Sequence, residues 1–213
     1  MVHVYFIDVS AVDNATFCEL LEQLPPEISK KVTEPHSQDE QRQRLCGKLL
    51  LAKLLRDLGS TATLADLKYN SYGKPYLEGA VGFNLSHSGK LATCTAGKGV
   101  SLGIDVEQQT EMDIVYLEDN FTAREWQLIT SSANRLEAFY RLWARKEALT
   151  KAVGKGASIL YMDIEVCEDV VYYDGTPYHF YDFSPREGYC GCVCMGKLID
   201  EVTITELNLQ DLK

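Results

Sequence analysis

The apolar and polar positions of this chain predict a strand, then a long helix, then hairpin-linked strands, and they predict that order twice. Val4-Tyr5-Phe6-Ile7 is a short apolar run of strand type. Ser37-Gln38-Asp39-Glu40 has the form of a capping box, so a helix is expected to open there and to run to Gly59 as its left-handed stop. In the second half, Gly103-Ile104-Asp105-Val106-Glu107 alternates, which puts Asp105 and Glu107 on one strand face and the apolar residues on the other. Thr122-Ala123-Arg124-Glu125 is another capping box, opening a short helix through Trp126, Leu128 and Ile129. Asn134 with Glu137 opens a further helix that Gly154 closes. This helix contains Trp143-Ala144-Arg145-Lys146-Glu147-Ala148-Leu149-Thr150-Lys151, where Glu147 and Lys151 share a face. Tyr72-Gly73 and Asp174-Gly175 read as hairpin turns followed by strands.

The repetition has a nearly constant spacing. Phe6-Ile7-Asp8-Val9-Ser10 echoes Gly103 to Glu107, and the segment Arg44 to Lys53 falls opposite the Arg-Lys-Glu helix. Tyr72 to Tyr76 echoes Asp174 to Tyr178, and Leu85 through Lys98 echoes Phe183 through Lys197. The expectation is an α+β fold of two similar lobes from an internal duplication, residues 1–98 and 99–213, with the active site in the cleft between them. No Pro- or Ser-rich linker separates the halves, so close packing is expected. The copies differ where chemistry would sit: Asp105, Glu107 and Glu147 of the second half face Asp8, Ser10 and Leu49 of the first. One site per chain follows, in a cleft of the kind that ligands prefer.

Set the strand face against the helix face, and Asp105, Glu107 and Glu147 converge beside Lys151. Three oxygen-bearing anions with room for waters make a Mg²⁺ site of the sort that grips substrate phosphates, and the lysine adds a point charge for the same phosphates. Glu147 and Lys151 by themselves would be an ordinary helical ion pair. Ser86-His87 follows an apolar strand within a turn-like Ser-His-Ser-Gly segment whose donors suit phosphate oxygens. A nucleophilic serine there is disfavoured, because neighbours on a strand point to opposite faces and a triad needs a third orienting group. Lys74-Pro75 is good turn chemistry, and Glu125 is fully accounted for as a capping carboxylate.

Composition narrows the class. A 213-residue chain that is 46% apolar and 24% charged is globular, of one domain or two small ones. A net charge of -10 argues against a general nucleic-acid binder, although Lys30, Lys31, Arg42, Arg44, Lys48 and Lys53 form a local basic region. No apolar stretch approaches the roughly 20 residues needed to span a bilayer, so no membrane association is expected. The N-terminus lacks the basic region of a signal peptide. Seven cysteines, an odd number without a Cys-x-x-Cys pair, read as reduced buried residues of a cytoplasmic protein. Of these, Cys190, Cys192 and Cys194 alternate on one strand face.

The strand and helix segments, in this order and spacing, resemble the paired signature of the 4′-phosphopantetheinyl transferases, and the chain length resembles their single-chain Sfp type. Tyr72-Gly73-Lys74-Pro75-Tyr76 and Phe83-Asn84-Leu85-Ser86-His87-Ser88-Gly89 are similar to two further motifs of that family. The resemblance spans about residues 40 to 156 with specific motifs. It implies transfer of the 4′-phosphopantetheine group of coenzyme A to a serine of an apo acyl or peptidyl carrier protein. The metal, Mg²⁺ or alternatively Mn²⁺, would sit on Asp105, Glu107 and Glu147, with Glu147 and Lys151 catalytic. For Glu125 the resemblance implies a metal role as the alternative to capping. Coenzyme A would lie between the halves. The resemblance assigns Ser86, His87, Asp105 and Lys151 to its phosphate end, Lys74 with Pro75 to its adenine end, and Arg44 with Lys31 to its 3′-phosphate. Ile28 departs from the family, which carries a lysine there. Leu117, Phe121 and Trp126 are candidate docking residues for the carrier, and a monomer is expected because a duplicated chain has its cleft internally. Two alternatives are a Mg²⁺-dependent coenzyme A pyrophosphate hydrolase and a non-catalytic coenzyme A binding module. Intact Glu147 and Lys151 count against the module.

Overall fold

Two sheets, each backed by one long helix, account for the alternating pattern. The computed structural model describes residues 1–79 and 81–212. Its strands and α-helices run β1 (Val2–Asp8), α1 (Asn14–Leu21), α2 (Pro26–Thr33), α3 (Gln38–Asp57), β2 (Lys68–Tyr69), β3 (Pro75–Tyr76), β4 (Val81–Ser88) and β5 (Leu91–Lys98) in the first half. The second half gives β6 (Leu102–Gln108), α4 (Ala123–Ser131), α5 (Arg135–Val153), β7 (Val170–Tyr173), β8 (Thr176–Phe183), β9 (Tyr189–Met195) and β10 (Val202–Glu206). One sheet has the order β10-β1-β5-β4 and the other β6-β9-β8-β7, with β2 and β3 paired separately. Fold class and duplication thus follow the expectation: β1, α3 and the β4–β5 hairpin are matched by β6, α5 and the β8–β9 hairpin. No described helix is long and apolar enough to cross a membrane.

The helix boundaries have the local causes that the sequence advertised. Ser37 accepts from the Glu40 amide to open α3, and Gly59, at φ +63°, turns the chain just beyond its end. Thr122 and Glu125 form both hydrogen bonds of a capping box, and Gly154 at φ +75° stops α5. Helices α1 and α2 carry weaker signals, the Asp13 cap and a proline in the first turn.

The apolar alternation decides the layers. Val2 and Val4 of β1 meet Leu102, Ile104, Val193 and Met195 between the sheets. Outside the first sheet, Leu45, Leu49 and Leu50 of α3 cover Phe83, Ala92 and Cys94. Outside the second, Leu142, Ala148 and Leu149 of α5 cover Cys192 and Cys194. Burying each such leucine contributes roughly 1.5–3 kcal/mol. Gly103 sets how closely α5 rides on β6, since a Cβ there would lie 1.9 Å from the Ala148 carbonyl oxygen and 2.4 Å from the Ala152 nitrogen. That close approach brings the helix face carrying Glu147 and Lys151 down onto Asp105.

The lobes meet edge to edge. β6 is the outer strand of its sheet, and its free amides are taken by side chains of β4. Asn84 accepts from Ile104 N at 2.9 Å, Ser86 from Val106 N at 3.4 Å and Ser88 from Gln108 N at 3.1 Å. Alternate residues of one strand therefore serve in place of a neighbouring backbone. Two expectations need correction. Ser86 and His87 lie within β4, not in the turn after it, which comes at Gly89 (φ +55°). And the division at 98/99 does not follow the sheets to the end of the chain. β10 returns to run parallel beside β1, Val2 opposite Val202, and Leu212 packs in the first core. Without β10, that edge of β1 would be an unpaired row of backbone groups.

Candidate active site between the lobes

A cavity of about 570 Å³ lies where the halves face each other, within the usual range of about 300–1,000 Å³ for ligand sites. Its first-lobe wall includes Lys74, Pro75, Asn84 and Leu85. Its second-lobe wall includes Glu147, Lys151 and the loop through Ile159, Leu160 and Tyr161. A second cavity, of about 300 Å³, shares Leu85 and is lined by Lys31, Arg44, Lys48, Ser86 and His87. The candidate residues from both halves of the sequence therefore gather along one interface.

Asp105 is the hub. Lys151 Nζ stands 2.6 Å from its Oδ1, and Ser86 Oγ donates to the same oxygen at 2.9 Å. Its Oδ2 is buried without a hydrogen-bond partner among the described residues. Burial pushes the Asp105 carboxyl up to about 7, with the charges of Glu107 and Glu147 adding to the rise and Lys151 opposing it. Glu107 is raised in turn, chiefly by burial, while a hydrogen bond from Ser88 at 2.8 Å opposes the rise. Glu147 accepts from the Tyr161 phenol. The expected convergence of three carboxylates beside a lysine is thus partly met. The lysine is in place and the carboxylates feel one another, but no three metal-ligating side chains close into a ligand cluster among the described residues. The reason is visible: each carboxylate is held by its own partner, Lys151 and Ser86, Ser88, or Tyr161.

The duplicate position in the first lobe is closed. Asp8, the counterpart of Asp105, is bound by Arg186 at 2.6 Å and caps the turn at Ser10.

Among the cations, geometry sorts the basic region. Arg42 pairs with Asp39 and Lys53 with Asp57, and neither lines the two cavities at the junction. Arg44 is braced by Glu40 at 2.8 Å and by the Lys31 carbonyl, and the Lys31 ammonium lies 3.6 Å from the centre of the Tyr69 ring. Lys48, which the sequence grouped with these only by charge, is lowered chiefly by burial and further by Lys31 and Arg44. His87, an exposed residue at the rim of the smaller cavity, is held below the ordinary imidazole range by partial loss of water around its ring and then by Lys151 and Arg44. Lys74 lines the cleft, but its ammonium donates to the Leu102 and Ala152 carbonyls at 3.0 and 3.1 Å. Burial lowers it to about 8.

Comparison with known proteins turns this geometry into a family. Residues 12–99 match the family model "4′-phosphopantetheinyl transferase, N-terminal", and residues 101–191 match that of the 4′-phosphopantetheinyl transferase superfamily. The 4′-phosphopantetheinyl transferase gsp of Aneurinibacillus migulanus is 28% identical, over all of this chain and 94% of its own. The 4′-phosphopantetheinyl transferase psf-1 of Bacillus pumilus is 30% identical over 73% of this chain and 70% of its own. The chain belongs to the 4′-phosphopantetheinyl transferases, of the Sfp type. A vertebrate relative, the L-aminoadipate-semialdehyde dehydrogenase-phosphopantetheinyl transferase of Xenopus laevis, is 32% identical over 57% of this chain and 46% of its own.

In this transferase, Glu125 has no oxygen to spare for a metal. Glu125 and Lys146 are wholly buried and paired at 2.7 Å, and Glu125 also accepts from the Thr122 and Val166 amides. Phe121 is only 6% exposed and packs with Trp126, Phe139 and Trp143, which makes it core and not a docking residue, while Trp126 stays half-buried at its edge. Leu117 packs against the same core. The exposed apolar residues nearby are Val115 and Tyr116, the latter 85% exposed, with Leu160 and Met162. They project from the 3₁₀ segments Ile114–Asn120 and from around Tyr161–Asp163, beside the cavity. Sequence reasoning also missed Asn84, Ser88 and Tyr161. The first two lay inside a quoted motif, at strand positions alternating with Leu85 and His87, and that period was the available signal.

Proposed function

We propose that the cleft binds coenzyme A across both cavities and passes its 4′-phosphopantetheine arm to a serine hydroxyl of an apo acyl or peptidyl carrier protein. The observation that carries this reading is Asp105. A buried carboxylate with one oxygen on Lys151 and Ser86 and the other without a partner, flanked by two further carboxylates, is an arrangement that favours a cation. Its donor set of carboxylate oxygens suits Mg²⁺ or Mn²⁺. Asp105, Glu107 and Glu147 would hold the ion, which supplies neutralisation of charge on the pyrophosphate.

The remaining steps belong to this chain's own residues. The serine oxygen attacks the phosphorus bearing the pantetheine arm, the bond from that phosphorus to 3′,5′-ADP breaks, and the serine proton passes to Glu147. Lys151 balances the charge on the departing phosphate. Lys31, Arg44, Lys48 and His87 offer cations and donors for the 3′-phosphate and the pyrophosphate in the smaller cavity, a local positive region in an acidic protein. Val115, Tyr116, Leu160 and Met162 give the carrier an apolar landing beside the cleft.

Incubation with coenzyme A, Mg²⁺ and a set of apo carriers, followed by intact mass measurement, tests the reading. It expects each accepted carrier to gain one phosphopantetheine. Free phosphopantetheine with unmodified carriers would point to the hydrolase instead, and coenzyme binding without any product to the binding module.

A further inference from the structure

Glu147 does not stand alone in the cavity wall. Tyr161, which opens the 3₁₀ turn Tyr161–Asp163, donates its phenolic hydrogen to Glu147 Oε1 at 2.5 Å. Both residues line the larger cavity, yet they come from different elements. The phenol is fixed from behind. Its own main-chain carbonyl accepts from Lys146 Nζ at 2.8 Å, and the same ammonium donates to the Ile164 carbonyl at 2.6 Å and pairs with Glu125. Trp143 meets the Tyr161 ring edge-on, with centroids 5.5 Å apart at 84°. Lys146 directly precedes Glu147 on α5. One turn of helix therefore carries the carboxylate and also anchors the residue that holds it.

This arrangement separates the two oxygens of the carboxylate. A neutral donor on a rigid support stops the group from swinging and leaves its negative charge intact, which a lysine at the same place would not. We propose that Tyr161 is the positioning residue of Glu147: the phenol occupies Oε1 and so reserves Oε2 for the chemistry at the pyrophosphate. The inference rests on the reading of Glu147 given above. Tyr161 lies beyond residue 156, outside the motifs that carry the sequence resemblance, though within the region that matches the superfamily model.

Y161F removes the hydroxyl and keeps the ring. Transfer kinetics and calorimetric binding of Mn²⁺ to the coenzyme A-loaded protein are measured for wild type, Y161F, E147Q and the double variant. The expected result for Y161F is a fall in kcat of about tenfold and weaker Mn²⁺ binding of about fivefold, as for one lost hydrogen bond to a charged group. KM for coenzyme A and the melting temperature stay close to wild type. Adding Y161F to E147Q changes nothing further. If Y161F keeps wild-type kcat and Mn²⁺ affinity, or if its loss persists undiminished in the E147Q background, Tyr161 is only a cavity wall and the proposal is overturned. If E147Q itself keeps the wild-type rate and Mn²⁺ affinity, the reading of Glu147 fails first, and the proposal falls with it.

Discussion

Ser86 Oγ donates to Asp105 Oδ1 at 2.9 Å across the junction of the two lobes, from β4 of one sheet to β6 of the other. The same hydroxyl accepts from the Val106 amide, so one serine both orients the central carboxylate and closes the interface. S86A leaves that amide without its acceptor and removes one restraint on Asp105. The expected loss is about 1–3 kcal/mol of folding stability, measured by urea unfolding, together with weaker coenzyme A binding.

The proposed metal binding at Asp105 would be coupled to a proton. Its carboxyl is raised to about 7 from 3.8, so the fold holds that proton more tightly than the unfolded chain does. The stability contributed by this group is full below about 3.8 and is lost as pH climbs through 7. A divalent cation requires the ionised form and works against that trend. Mg²⁺ affinity should therefore weaken below pH 7, and binding at pH 6 should release protons. Calorimetry in two buffers of different ionisation enthalpy reads the proton directly; identical heats in both would contradict the coupling.

Lys74 staples the halves through two main-chain carbonyls. K74A should cost about 1–3 kcal/mol, seen as a lower melting temperature. The sign of its pH dependence also follows. A lysine lowered to about 8 from 10.5 is a burden on the fold below pH 8, relieved as pH rises toward 10.5. K74M should remove that slope, which thermal unfolding between pH 8 and 10 would show.

The buried Glu125–Lys146 pair is a structural element, not a metal site. E125Q strands the Lys146 ammonium in the core, at an expected cost of about 3–5 kcal/mol. Protein that remains folded should keep most of its Mg²⁺ affinity, since Lys146 still has the Tyr161 and Ile164 carbonyls as partners and Tyr161 still donates to Glu147.

Much of this was legible before any coordinates. Alternation placed Asp105 and Glu107 on the face that α5 covers, the Ser37 cap and the Thr122–Glu125 capping box opened α3 and α4 where they begin, and the internal echoes gave two matched sheets. What escaped has a common physical character. The return of β10 to β1 is a long-range pairing that no local pattern encodes. Lys74 reads from its residues as turn chemistry, with an adenine contact implied only by the resemblance, because hairpin composition says nothing of the carbonyls its side chain will reach. Phe121 looked like part of a docking face because an amphipathic stripe does not declare which neighbour will cover it, and here Phe139 and Trp143 of α5 do. The carboxylates were placed on the right faces, but the hydrogen bonds that hold each apart come from Ser86 and Ser88, 19 positions from their partners, and from Tyr161, 14 positions from Glu147 around a turn with no sequence signature.

Glu147 is where the account is most exposed. The decisive comparison is the rate of phosphopantetheine transfer to an accepted apo carrier, followed by intact mass, for wild type and E147Q, with circular dichroism establishing that the variant is folded. Proton removal by Glu147 predicts a loss on the order of 10²–10⁴-fold with the fold retained. A folded E147Q that modifies the carrier within about threefold of wild type, less than the roughly 10²-fold floor for a lost general base, would contradict it.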